Sequence, residues 1–169
     1  NDQNWRIRLR AVEALALLKP QEAVGPLMTL VLKDSDTAVR QDAVRALGQI
    51  GDPRAIPLLL SSLALNTPSL KLPAIEALGQ IRSTEAIPAL IALVNSLPTE
   101  AYEDRMEGCT DPQYKEDLPP LEAAIKALAK IRDPQAIPTL IQALHSTLLR
   151  PEAAEALAQF GQAAVNPLL

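Results

Sequence analysis

One stretch, AVRALGQIGDPRAIPLLL from Ala43 to Leu60, recurs along the chain. It returns as AIEALGQIRSTEAIPALI from Ala74 and as AIKALAKIRDPQAIPTLI from Ala124. Weaker copies stand at both ends, AVEALALLKPQEAVGPLM from Ala11 and AAEALAQFGQAAVNPLL from Ala153. A unit this short cannot bury its apolar face alone, whereas stacked copies can, so a fixed period predicts an array of repeats rather than one central core. Ala14 to Ala46 spans 32 residues, Ala46 to Ala77 spans 31, and Ala127 to Ala156 spans 29. Ala77 to Ala127 spans 50, which marks an insert of about 19 residues.

Each copy opens with helical spacing. Ile7, Ala11, Val12, Ala14, Leu15 and Leu18 reappear as Val39, Ala43, Val44, Ala46, Leu47 and Ile50, and again in the later copies. This pattern predicts a first helix, A, with those positions buried. In the fourth copy the first position is Pro120, where the helix is expected to begin. One column is always small: Ala16, Gly48, Gly79, Ala129 and Ala158. A small residue there lets a neighbouring helix approach closely. Asp52-Pro53 and Asp133-Pro134 then form a turn, with Asp capping the next helical segment. A second Pro comes four residues later, at Pro57, Pro88 and Pro138, so the first turn should be 3₁₀ and the regular second helix, B, should start beside it. Helix B buries Ile56, Leu59, Leu60 and Leu63 and their equivalents. Apolar residues make up 48% of the chain and aromatics 2%, so Ala and Leu, both strong helix formers, must build the core.

The pattern A-x-x-A-L-G-x-I-G-D-P-x-A-I-P-x-L, carried by Ala43, Ala46, Leu47, Gly48, Ile50, Gly51, Asp52, Pro53, Ala55, Ile56, Pro57 and Leu59, resembles the short HEAT-like repeats of the phycobilisome-lyase type. The resemblance implies an all-α fold, a right-handed α-solenoid of about five helix-turn-helix repeats with one inter-repeat insert. The repeats fall at about 4–35, 36–66, 67–96, 119–146 and 147–169, with the insert at 97–118. Most such proteins bind other proteins along one face. A cyanobacterial subset attaches or removes bilin chromophores on phycobiliproteins.

Function classes can be narrowed. The single His145 and single Cys109 supply no local catalytic motif, and one His excludes a multi-histidine metal site. The scattered glycines form no phosphate loop, and no cofactor motif is present. Net charge is −4, and helix B positions off the core stripe carry neither bases nor aromatics, which argues against nucleic acid. No apolar run reaches membrane-span length, and one Cys suits a reducing, cytoplasmic setting. Glu13, Arg45, Glu76, Lys126 and Glu155 share one outer column with alternating sign, and stacking should set unlike charges beside each other.

A neutral groove of helix B residues suits a helix or extended peptide of a protein partner. Its candidate contacts are Leu58, Ser62, Leu65, Leu93, Gln142 and His145. The insert is the second candidate surface. Between Leu97 and Pro119 it holds seven acids against two bases, a net −5, and both tyrosines. Tyr102, Glu103, Asp104, Met106, Glu107 and Tyr114 are its candidate contacts. Its acids lack calcium-loop spacing. Apolar residues at the two ends, Trp5, Ile7, Phe160, Val165, Leu168 and Leu169, point to further repeats in a parent protein or to self-association. The leading expectation is a non-enzymatic scaffold using the helix B face and the insert. The alternative is a bilin lyase subunit or chromophore-handling chaperone.

Overall fold

Small side chains on successive helices let the backbones come together, and the helices keep to the repeat. The computed structural model describes residues 2–64, 67–96 and 112–164, with side chains described from residue 4 onward and, past the insert, from 118 onward. The helices are α1 (Asp2–Leu18), α2 (Val24–Lys33), α3 (Thr37–Ile50), α4 (Ile56–Ala64), α5 (Pro68–Ile81), α6 (Ile87–Val94), α7 (Pro112–Ile131), α8 (Ile137–Ala143) and α9 (Arg150–Phe160). Short 3₁₀ turns at Gln21–Ala23, Pro53–Ala55, Thr84–Ala86 and Pro134–Ala136 lead into α2, α4, α6 and α8. No strand occurs among the described residues. The chain forms two compact units, Asn1–Ser83 and Thr84–Leu169.

The turn chemistry matches the sequence. Asp52 accepts the Arg54 N–H at 2.8 Å, and Asp133 accepts the Gln135 N–H at 2.9 Å. Three 3₁₀ residues come next in each case, and the α-helix begins one residue before the second Pro. Asp36 caps α3 by accepting from the Ala38 and Val39 N–H groups. The helices α1, α3, α5 and α7 end in left-handed backbone: Gly51 carries it at φ 79°, but Lys19, Arg82 and Arg132 carry it without being glycine.

In the first unit α3 lies against α1, α2 and α5. Val39, Ala43, Val44, Ala46 and Leu47 are fully buried. A Cβ built on Gly48 would stand 2.6 Å from the Ala77 Cα, so the small column does hold α3 and α5 at backbone distance. Three polar ties fix the stack. The Gln41 side chain donates to the Ser69 carbonyl at 2.8 Å. Arg54 forks onto Asp52 and donates to the Gln21 carbonyl of the preceding turn at 3.0 Å. Arg8 on α1 grips Asp34, between α2 and α3, through both carboxylate oxygens, at 2.6 and 2.8 Å. Asp34 also accepts the Asp36 N–H, and its side chain is 3% exposed.

Three expectations need correction. On α1 only Val12 of the six core positions is buried; Ile7 is 67% and Leu18 78% exposed, because among the described residues no helix stands against α1 as α1 stands against α3. The charge column forms no ion pairs between repeats among the described residues. Glu13 pairs with Arg10, and Arg45 with Asp42, each three residues away on its own helix, where side chains are already neighbours. Helix α7 begins at Pro112 rather than Pro120 and carries Pro119 and Pro120 inside it. Pro112 occupies a first-turn position, and the Gln-Tyr-Lys-Glu-Asp-Leu run after it sustains the helix across the two missing N–H groups.

This packing predicts two effects on stability. Gly48→Ala should lower unfolding free energy by about 1–3 kcal/mol, because the atom it meets is backbone; Gly25→Ala, with nothing within 4 Å of its Cβ, should be neutral or stabilising in the same urea titration. Arg8's hydrogen bonds hold the Asp34 carboxyl below its usual range, and the Asp36 N–H adds to this against the cost of burial. Its stabilisation is therefore present above the unfolded pKa and is lost as pH falls through the lower folded value. Asp34→Asn should lower the melting midpoint by about 3–8 °C at pH 7 and flatten the acid limb of the stability curve.

Candidate functional site

Repeated columns act as internal controls: the same position, seen in several helices, shows where cover is missing. Leu58 and Ser62 on α4 are buried, as are Thr139 and Ala143 at the same positions on α8. Neither Leu58 nor Ser62 offers a surface, so the groove expected of them from sequence is closed by repeat packing there. On α6 the equivalents differ. Ala89 and Ala92 are exposed, Leu93 is half-buried and Ser96 is exposed. The open part of the helix B face is thus on α6, immediately before the insert.

Beside it, in the second unit, a small recess of about 20 Å³, room for about one water, is lined by Val94, Asn95, Thr139, Gln142, Ala143, Ser146 and Leu149. No lining residue is charged. Its floor is set by how α8 ends. Leu144, His145 and Ser146 each donate their N–H three residues back, to Ile141, Gln142 and Ala143. That tighter winding buries Ser146 and leaves His145 exposed outside the recess. Arg150 closes the connection by donating from Nε to the Leu144 carbonyl at 2.9 Å. The site joins Gln142 and Ser146, both reached by counting helix B positions off the core stripe, to Asn95, which no sequence signal singles out. It offers hydroxyl and amide groups on an apolar wall, in a space that takes a water or the tip of one polar side chain.

Leu65, Tyr102, Glu103, Asp104, Met106, Glu107 and Cys109 lie outside the described residues, and Tyr114 falls in the first turn of α7. Among the described residues no three His, Cys, Asp or Glu side chains are grouped to hold a metal, and no helix is long and apolar enough to cross a membrane.

Comparison with known proteins agrees with the repeat reading. The family model for HEAT repeats matches residues 1–72 and 116–169, and the model for the PBS lyase HEAT-like repeat matches 74–96. Among solved structures the chain is similar to one in the complex of CpcE and CpcF of phycocyanin lyase from Nostoc sp. PCC7120, at 27% identity and a TM-score of 0.72. The match covers 93% of this chain and 60% of that one. No curated protein matches.

Proposed function

This chain belongs to the HEAT-repeat family, and from that premise we propose that it is a bilin lyase-type subunit, working with a protein partner on a phycobiliprotein. The observation that carries this reading is the similarity to a phycocyanin lyase chain across 93% of the sequence, with the PBS lyase repeat falling on α5 and α6. That similarity favours the lyase alternative over the leading expectation of a bare scaffold. In this reading the chain holds and orients, and the contact residues are Leu93, Gln142 and His145 on the helix B side together with Tyr102, Glu103, Asp104, Met106, Glu107 and Tyr114 of the insert. A purely scaffolding role is the second reading. The open, uncharged face of α6, with Ala89 and Ala92 exposed and Leu93 half-buried, favours it.

Mixing the chain with a free bilin and apo-phycocyanin, with each subunit of the matched complex supplied in turn, tests the first reading. Bilin absorbance that stays with the apoprotein after denaturation is expected in at least one combination. No bilin-dependent spectral change in any of them would remove the lyase reading and leave the scaffold. A chain lacking residues 99–111 should unfold within about 1 kcal/mol of the intact one, since the length of a connection between two packed helices changes stability little, while partner binding falls at least tenfold in a pull-down titration. Leu93→Arg should weaken the same binding without moving the melting midpoint, because Leu93 is only half-buried.

A further inference from the structure

The four 3₁₀ turns that lead into the B helices repeat one device, and the third lacks its fastening. The residues just before these turns are Pro20, Asp52, Ser83 and Asp133. Pro20 fixes its own backbone, at φ −74°. Asp52 and Asp133 accept the N–H two residues on, at 2.8 and 2.9 Å, and a proline follows each, Pro53 and Pro134. After Ser83 comes Thr84, so the third turn has neither a proline ring nor a carboxylate. The Ser83 hydroxyl does not take the place of one. The residue is 4% exposed, and its Oγ has no hydrogen-bond partner. Arg82, immediately before it, holds left-handed backbone at φ 57°. Lys19 and Arg132 do the same at φ 51° and 60°, but their turns carry Pro20 and Asp133-Pro134.

We propose that Arg82, Ser83 and Thr84 form a hinge on which the two compact units of the chain move as separate bodies. The boundary between Asn1–Ser83 and Thr84–Leu169 falls on the peptide bond after Ser83. The chain's least fastened turn and the division between its units therefore coincide, and the two observations have separate origins. One is the chemistry of a single turn; the other is the packing of the whole chain. Three physical effects favour opening at this turn. A buried hydroxyl without a partner is unfavourable, and it regains hydrogen bonds when water reaches it. A left-handed residue other than glycine loses strain when its φ turns negative. A threonine leaves its φ free where proline would fix it. Helix α5 is untouched by such opening, because the Ser83 N–H completes it by donating back to the Leu78 carbonyl at 3.1 Å. Hinges of this kind confine a large backbone change to a few residues at the end of an element. Each unit then keeps its own packing while the chain adapts to a bound partner. This inference is independent of the lyase reading.

Distances between pairs of nitroxide labels, measured by pulsed electron spin resonance in a Cys109→Ser background, test the hinge. Gln49→Cys on α3 and Ala92→Cys on α6 put one label in each unit, and Ala92→Cys with Lys126→Cys on α7 put both in the second; all three positions are exposed. The distance distribution between units should be roughly twice as broad as the one within the second unit. Ser83→Asn with Thr84→Pro restores a cap and a proline without setting a second acid beside Glu85. This pair should narrow the distribution between units to the width of the other and raise the melting midpoint by about 2–6 °C. Thr84→Pro alone replaces the pair if the double variant does not fold. A parent chain whose distribution between units is as narrow as that within the second unit overturns the proposal. So does a broad distribution that the substitutions leave unchanged, since the motion would then lie elsewhere in the chain.

Discussion

The backbone-distance contact between consecutive A helices, Gly48 on Ala77, governs the rest of the structure. It requires a small column on one helix and an Ala on the next, and it explains why the core is built of Ala, Leu and Ile with almost no aromatics. A flat contact between small residues is close but slides easily, because nothing interlocks along the helix axis. Register must then come from elsewhere. Gln41 on the Ser69 carbonyl and Arg54 on the Gln21 carbonyl each join one repeat to the next through a directional bond, and Arg8 on Asp34 ties the two helices of the first repeat together. The hydrophobic term holds the repeats together; the hydrogen bonds decide where they stop.

Helices A and B, their 3₁₀ entry and the Asp caps were legible in the sequence because each rests on local chemistry. Asp52 and Asp133 need only the N–H two residues on. Burial was less legible, since it depends on what stands opposite. Ile7 and Val39 occupy one column and carry the same apolar character, yet one is exposed and the other is sealed. The alternating charge column misled for a related reason: Arg45 has an acid three residues away on its own helix, close enough to pair with before any neighbouring repeat is reached. Arg54's reach to the preceding turn had no signal at all beyond being a long cation beside a cap.

The candidate site shows the same division. Gln142 and Leu93 were reachable by counting helix B positions, but Leu58 and Ser62 came from the same count and are buried. What separates them is whether the next A helix covers them. That cover is complete over α4 and partial over α6, and the difference coincides with the insert.

A repeat array has a particular way of making a binding surface. Every internal face is already adapted to receive another helix, so interrupting the stack exposes a receptor without any new side chains being needed. The cost is kept low when the exposed residues are small: Ala89 and Ala92 on α6 present little apolar area, whereas Leu at the same position on α4 would present much more. Position 89 is Ala where the face is open, and position 58 is Leu where it is closed. The face of α1 lacks this economy: Ile7, Leu17 and Leu18 stand in solvent. Large aliphatic residues gain their free energy only when covered.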